Sequence, residues 1–333
     1  MTDDFGQAQA EPGATVSVTR VIGHRWLLVG AAVGVGVAAL AVAGPGGGSS
    51  AGAGARGTAG AGGSAAGAVG GGGSAAAAAP FDSRRAFALT KLELSYGPRP
   101  AGSPAQRRVA LVLRRRLPGG HFEPVPGGLR NIVGGLPGRE PAIVLGAHYD
   151  TTPVPGYLGA NNSAAGVGAV IEIAHDLARD HPGTQARAVK FVLFDGEEAP
   201  AGFTDFYAQG LRGSKAYVLA HRSTTQELVL LDFIALHDER LPREEGSDAA
   251  LWDRLRQAAA RVGSGAVFPP TTRGRILDDH TPFTAAGIPA VDLIDFDYPC
   301  WQKLCDNLSQ VSRRNLGLVG EAVLTLIRGE RHR

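Results

Sequence analysis

Acidic and imidazole side chains recur where apolar segments of the chain end. Residues 148–150 read HYD, and residues 194–200 read FDGEEAP at the end of a continuous apolar run. Two adjacent carboxylates, Glu197 and Glu198, repel each other at the end of a buried strand unless they take different roles. One can bind a metal while the other transfers protons with a raised pKa. The pair predicts a catalytic or metal site, and a solvated acidic loop is the alternative.

Two further side chains fit the same kind of chemistry. His148 is a suitable zinc ligand in its neutral form, and Asp150 can orient it; a satisfied histidine in a turn is the alternative. Asp232 lies in the apolar segment LLDF. Because burying an unpaired charge is unfavourable, Asp232 should pair with a group at the site, or else accept a structural hydrogen bond from a loop backbone.

The C-terminal third adds an acidic motif and an aromatic one. Residues 278–280 read DDH before TPF. Asp279 can cap the helix that follows, which leaves Asp278 as the acid expected to face the pocket. Trp301, beside Gln302, can form the wall of a small apolar pocket, and an ordinary core tryptophan is the alternative.

Alternating strands and helices must position these side chains. The alternation predicts a mainly parallel sheet covered on both faces, with the polar residues gathered at its carboxyl edge. The predicted strands are 121–125, 129–136, 142–148, 188–195, 227–236 and 288–296, and the predicted helices are 82–96, 103–117, 162–180, 212–221, 247–263 and 313–329.

Six motifs occur in a fixed order: HYD, GANNSAAG (159–166), FDGEE, LLDF, DDHTPF and CWQ. In this order the chain resembles the zinc-dependent glutaminyl cyclases, which are relatives of the dinuclear zinc aminopeptidases. The resemblance covers most of 81–329. It implies an α/β fold, a three-layer sandwich with a mixed, mostly parallel central sheet. It also implies cyclisation of N-terminal glutamine to pyroglutamate with release of ammonia, or, as in the peptidases, removal of N-terminal residues.

The resemblance also assigns roles. Glu198 matches the zinc-binding glutamate and Glu197 the general acid/base, while Asp232 and Asp278 match acids that support the proton chemistry of the cyclases. Trp301 matches the tryptophan that lines the substrate pocket.

Two positions depart from the family pattern. Asn162 stands where the family has an aspartate ligand, and Gln302 stands where it has a histidine ligand. A zinc ion, the cofactor expected from the family, would meet one carboxylate and two amides, and amide oxygen is a poor zinc donor. The hypothesis is a degenerate metal site. His148 and Asp232, which match ligands of the second metal in the peptidases, could instead hold a displaced ion together with Glu198.

Three functions follow from these residues. The first is a glutaminyl-peptide cyclotransferase-like protein, and the second is a zinc aminopeptidase, which needs both metals. The third is a non-catalytic binder of peptide or protein N-termini, in which the acids attract an α-ammonium group without a metal.

The N-terminal quarter differs in composition from the rest. Residues 1–25 form a polar leader with a basic end, and 26–44 form an uncharged apolar run. This run is long enough for a membrane anchor, although an A-x-A pattern also allows a cleaved signal peptide. Residues 45–80 form a Gly/Ala/Ser linker, and 81–329 form the α/β catalytic-type domain. The domain is expected outside the cytoplasm, either anchored to the membrane or, if the leader is cleaved, secreted.

The net charge and the cysteine content indicate which partners and which compartment to expect. The net charge of +2 and the absence of a basic stripe make nucleic acid a poor candidate partner. Cys300 and Cys305 predict a local disulfide outside the cytoplasm, with two free buried thiols as the alternative. The oligomeric state does not follow from the sequence.

Overall fold

The structure is a computed structural model that describes residues 79–180 and 185–333. The predicted leader, the predicted anchor at 26–44 and all but the last two residues of the predicted linker lie outside the described residues. Within the described ranges, no helix is both long enough and apolar enough to cross a membrane.

A six-stranded sheet forms the centre of the domain. Its strand order is β1-β2-β4-β3-β5-β8; β4, β3, β5 and β8 run parallel, and β1 and β2 are antiparallel to their neighbours. The prediction of a mixed, mostly parallel sheet is confirmed. The strands are β1 His121–Val125, β2 Leu129–Leu136, β3 Arg139–His148, β4 Arg187–Phe194, β5 Thr225–Leu231, the short pair β6 Arg243–Glu244 and β7 Thr272–Arg273, and β8 Ala290–Leu293.

Eight α-helices are described, and several begin at a side-chain cap. Asp82, Ser103, Asp248 and Ser312 each accept a backbone N–H from the first turn of the helix that follows, which satisfies a donor that has no partner inside the helix. The helices are α1 Ser83–Leu94, α2 Pro104–Arg114, α3 Ala165–Arg179, α4 Phe206–Gln209, α5 Arg212–His221, α6 Ala249–Arg261, α7 His280–Ala285 and α8 Arg313–Glu330.

The helices cover both faces of the sheet. Helices α1, α3, α6 and α8 pack together over one face around the larger apolar core, in which Ile143, Leu145 and Val229 are buried. Helices α5 and α7 cover the other face around a smaller core that contains Val144 and Phe194. Adjacent residues of β3 therefore point to opposite buried faces, which explains why its sequence is continuously apolar.

Several predicted elements are shorter than expected, and two of these differences lie at the site. Strand β5 ends at Leu231 rather than at residue 236, because the next two residues leave the extended conformation and Phe233 has φ 40°. Helix α3 begins at Ala165 rather than at residue 162. It is preceded by a π-helical turn, Ala160–Ala164, in which Asn162 and Ser163 have non-helical backbone angles.

Candidate active site

The carboxyl edge of the sheet gathers most of the predicted site residues. His148 ends β3, Glu197 and Glu198 lie in the loop after β4, and Asp232 follows the last residue of β5. All four are buried. Their proximity follows from the topology, because parallel strands end at the same edge of the sheet.

His148 lies among carboxylates. Its Nδ1 is 3.6 Å from Asp150 Oδ1 and 3.8 Å from Glu197 Oε2, and its Nε2 is 3.5 Å from Asp232 Oδ1. Neither ring nitrogen has a hydrogen-bond partner among the described residues. Burial lowers the pKa of His148, but Glu197, Asp150 and Asp232 outweigh it and raise that pKa well above its ordinary value. The ring is therefore not the satisfied turn histidine of the alternative interpretation.

Asp150 holds the loop that carries the two glutamates. Its two carboxylate oxygens accept the backbone N–H groups of Glu197 and Glu198, each at 3.2 Å. The turn also needs Gly196, which has φ 71° and lies so close to Leu129 and Arg212 that a Cβ would meet both within 3 Å. Asp150 thus fixes the glutamate backbone in addition to lying beside His148.

The two glutamates are buried rather than solvated, so the acidic-loop alternative is wrong. Burial raises the pKa of Glu197 well above its usual range, and the neighbouring Glu198 raises it further. Burial also raises the pKa of Glu198 to about 7. Both shifts favour a proton shared by the pair, as two carboxylates in one buried site require.

Asn162 contacts Glu198 directly. Its side-chain Nδ2 donates a hydrogen bond to Glu198 Oε1 at 3.1 Å, while its own Oδ1 is buried without a partner among the described residues. The amide therefore presents its N–H group, not its oxygen, to the carboxylate that matches the zinc ligand.

Asp306 supports this turn and was missed from the sequence. Its carboxylate accepts the backbone N–H groups of Asn161 at 2.8 Å and Asn162 at 3.1 Å. It also accepts the hydroxyls of Tyr157 at 2.9 Å and Tyr298 at 2.7 Å. No local pattern predicted this convergence, because three of the four donors come from residues 157–162, which are distant from Asp306 in the sequence.

The remaining acids lie close to this centre. Asp232 accepts the N–H of Phe233 at 3.0 Å and also approaches His148, so both expected roles occur together. Burial raises the pKa of Asp278 to about 6, and the charge of Asp232 adds to the effect. The prediction that Asp279 caps α7 is wrong: its carboxylate accepts the hydroxyl of Ser214 on α5 and makes no side-chain cap bond.

A second buried acid–histidine group was also missed. His280 Nε2 is 3.1 Å from Glu244 Oε2, and its Nδ1 is 3.4 Å from Asp292 Oδ2. All three side chains are buried. Asp292 lies in the apolar strand β8, and an acid inside a strand was the available signal.

Trp301 has an exposed side chain. Its side chain is 41% exposed, and its ring centroid is 4.9 Å from that of Phe296, so the core-tryptophan alternative is wrong. Gln302 follows with φ 52° and a partly exposed side chain. A disulfide joins Cys300 to Cys305 around both residues, as expected for the first of the two cysteine alternatives.

The acids and histidines do not form a metal cage in this arrangement. Within residues 79–180 and 185–333, no three or more His, Cys, Asp or Glu side chains are arranged so that they could hold a metal ion. The alternative set of His148, Asp232 and Glu198 therefore does not converge as ligands here.

The sequence of this chain matches a known protein family. The profile of Peptidase family M28 matches residues 131–327, more than half of the chain. The chain belongs to Peptidase family M28. The resemblance to the glutaminyl cyclases and zinc aminopeptidases is confirmed at the level of the family and of the fold.

Within the M28 family, relatives of both kinds are similar to this chain. The glutaminyl-peptide cyclotransferase of Drosophila melanogaster is 26% identical over 229 residues, which are 59% of this chain and 65% of that protein. Aminopeptidase YwaD of Bacillus subtilis is 26% identical over 205 residues, which are 57% of this chain and 41% of that protein. A solved glutaminyl cyclase from an Acidobacteriales bacterium is 26% identical, with a TM-score of 0.67 over 76% of this chain and 96% of that one.

The chain aligns with only part of each curated relative. The chain spans 41% to 65% of the length of the curated relatives named above. One solved neighbour, from Parabacteroides distasonis, is described as a Zn-dependent exopeptidase and is 24% identical with a TM-score of 0.67, so it supports the fold alone.

Proposed function

We propose that this M28 protein is glutaminyl-cyclase-like and binds the N-terminus of peptides in its acidic pocket, with a degenerate zinc site. The observation that carries the proposal is the hydrogen bond from Asn162 Nδ2 to Glu198 Oε1 at 3.1 Å. The carboxylate that matches the zinc ligand thus accepts an amide N–H group from the position at which the family has a second carboxylate.

The donor set does not fit a zinc ion at the family position. Zinc prefers imidazole, thiolate and carboxylate, and of the three matching positions only Glu198 has such a group. Asn162 turns a donor rather than an acceptor toward Glu198, and Gln302 offers only a neutral amide. We therefore route no step of the chemistry through zinc.

The pocket suits a cationic ligand group. Glu197, Glu198, Asp232 and Asp278 are buried acids at one edge of the sheet, and a peptide's α-ammonium group can donate to up to three of their oxygens. The exposed ring of Trp301, which matches the pocket tryptophan of the family, would contact the residue that carries the ammonium.

A proton-transfer group survives in the pocket. Burial and Glu198 raise the pKa of Glu197 well above its usual range, which suits this carboxyl group to exchange protons. In its ionised form Glu197 would accept a proton from the bound amine, and in its protonated form it would return that proton to departing ammonia, as the resemblance implies for its position. Without a group that polarises the γ-carbonyl, we expect cyclisation to be slow compared with an intact zinc cyclase.

The test compares binding, turnover and metal in the full-length protein. We expect a peptide with N-terminal glutamine to bind in calorimetry, and the same peptide N-acetylated to bind at least tenfold more weakly, because acetylation removes the charge. Zinc content should be far below one ion per chain, and a chelator should not change the affinity.

Three results would overturn the proposal. They are one tightly held zinc per chain with rapid, chelator-sensitive pyroglutamate formation, equal affinity for the acetylated peptide, and release of free amino acids from a peptide panel. The last result would support the zinc aminopeptidase alternative instead.

We also propose an extracytoplasmic location for the domain. The disulfide between Cys300 and Cys305 supports it, because such bonds persist mainly in oxidising compartments. The predicted apolar run at 26–44 would provide the anchor or the export signal. Protease accessibility of the domain in intact cells would test this location.

A further inference from the structure

Asp306 is a buried carboxylate with an unusual number of donors. Its two oxygens accept two backbone N–H groups, from Asn161 and Asn162, and two hydroxyls, from Tyr157 and Tyr298. Its side chain is fully buried. Burying a carboxylate is unfavourable unless its lone pairs are satisfied, and four donors meet that requirement.

The turn that Asp306 holds is strained. Ser163 has φ 125°, a conformation that residues with a side chain rarely adopt, and Asn162 before it is also non-helical. The positive φ of Ser163 is strained and persists only where surrounding contacts enforce it. The hydrogen bond from the Asn162 N–H to Asp306 is one contact that enforces it, and Arg99 Nη2, 3.4 Å from the Ser163 hydroxyl, is another.

The same residue links the turn at Asn162 to the segment that carries Trp301. Through its N–H, Asn162 is fixed to Asp306, and its side chain is thereby aimed at Glu198. On the other side, Tyr298 and Asp306 bracket the disulfide-closed segment that carries Trp301. The Asp306 carboxylate therefore sets the position of Asn162 relative to the segment that carries Trp301.

We infer that Asp306 is a positioning residue of the peptide pocket, which acts on the bound ligand through Asn162 and through the Trp301 segment. The inference rests on the proposed function for its effect on ligand binding, but not for its effect on the turn. Asp306 does not contact the ligand itself, because its four contacts use the carboxylate inside the protein.

The first arm of the test needs no ligand. Hydrogen–deuterium exchange in the full-length protein compares Asp306→Asn with Asp297→Asn, a matched change at a largely exposed acid of the same loop. The side-chain amide of this variant places its own N–H group against one of the four donors and removes an acceptor. We therefore expect exchange at Asn161 and Asn162 to be at least tenfold faster. Exchange in β3 should be unchanged, and Asp297→Asn should match the unaltered protein. Unchanged exchange at both asparagines in Asp306→Asn would overturn the inference.

The second arm measures how Asp306 acts. Affinity for a peptide with N-terminal glutamine is compared in Asp306→Asn, Asn162→Ala and the double variant. If Asp306 acts through Asn162, the two losses are not additive and the double variant loses little more than the worse single variant. Additive losses would refute positioning through Asn162. If the unaltered protein binds no peptide, the proposed function fails while the exchange arm still decides the role of Asp306.

Two milder variants keep the test open if Asp306→Asn does not fold. Tyr157→Phe and Tyr298→Phe each remove one hydroxyl donor and keep the ring. We expect each to speed exchange at Asn161 and Asn162 several-fold and to weaken peptide binding. Two variants with exchange rates equal to those of the unaltered protein would count against Asp306 as the support of the turn.

Discussion

The change Asn162→Asp tests the pairing at the centre of the site. It replaces the amide that donates to Glu198 Oε1 at 3.1 Å with a second carboxylate in a buried position. At high pH the variant loses a hydrogen bond to a charged group, which contributes about 1.5–3 kcal/mol, and it gains a like charge at that distance. At an effective dielectric constant of about 20, two unit charges this close would repel by roughly 5 kcal/mol, which is an upper limit because the pair can bind a proton instead.

The pH dependence of this loss has a defined sign. The folded variant would hold a proton between the two carboxylates that the unfolded chain releases near pH 4. Its stability therefore falls as pH rises from about 4 to the raised pKa of the folded pair. We expect the free energy of unfolding to be about 2–4 kcal/mol lower than in the unaltered protein at pH 8. At pH 5 the difference should fall below about 1 kcal/mol, because the introduced carboxyl group, once protonated, can itself donate to Glu198.

The assay is thermal unfolding of the full-length protein at pH 5 and pH 8, with and without zinc. For a domain of this size, the expected loss lowers the midpoint by roughly 5–10 °C at pH 8. Zinc at about 100 times its dissociation constant should restore about 2.7 kcal/mol, because the variant regains a carboxylate pair suited to the metal.

The matched control is Asn161→Asp. Asn161 is equally buried and lies in the same turn, but its Oδ1 accepts the N–H of Ala235 and it does not face Glu198. A carboxylate at position 161 still accepts the N–H of Ala235 but does not face Glu198, so zinc should not stabilise this variant. The reasoning would be refuted if Asn162→Asp were as stable as the unaltered protein at pH 8, or if zinc stabilised both variants equally.

Two more predictions concern stability. The unaltered protein should lose stability between pH 5 and pH 8, since burial raises the pKa of Glu198 to about 7 and that of Asp278 to about 6, so the folded chain holds protons that the unfolded chain has lost; a midpoint that rises across this range would contradict it. Asp150→Ala should lower the free energy of unfolding by about 2–4 kcal/mol in urea titrations, because it leaves the buried N–H groups of Glu197 and Glu198 without an acceptor. Asp238→Ala, at an exposed position, should change it by less than about 0.5 kcal/mol.

The fold could be predicted from the sequence to a large extent. The alternation of elements and the continuous apolar runs determine a sheet covered on both faces, and His148, Glu198 and Asp232 could be placed at its edge from strand order alone. The cap at Asp82 was also predictable, because aspartate before a helical segment satisfies its first donors.

The details that shape the site were not predictable in the same way. Asn162 follows the helical pattern of the residues after it, yet it lies in a strained turn because a distant carboxylate, Asp306, accepts its N–H. Asp279 has the local pattern of a helix cap, but its carboxylate instead accepts a hydrogen bond from the hydroxyl of Ser214 on another helix. In both cases a tertiary contact overrides local preference, and one sequence does not reveal which distant donor meets which acid.

The electrostatic balance of the pocket connects these observations. The resemblance implies a divalent cation that offsets the carboxylates in the family, whereas here hydrogen-bond donors contact the described acids. Asn162 donates to Glu198, the backbone donates to Asp150, and His148 lies between Glu197 and Asp232 with a raised pKa. These donors satisfy the acids only in part, since both nitrogens of His148 lack a hydrogen-bond partner among the described residues.

A ligand that brings its own positive charge would complete this balance. A peptide ammonium group supplies both the charge and the donors, and it can leave again, which a structural cation cannot do without unfolding part of the site. A neutral ligand of the same shape would displace water from the carboxylates without offsetting their negative charge. Under the proposed function, the acids of this pocket favour an amine, and N-acetylation of the peptide removes the positive charge on which that preference depends.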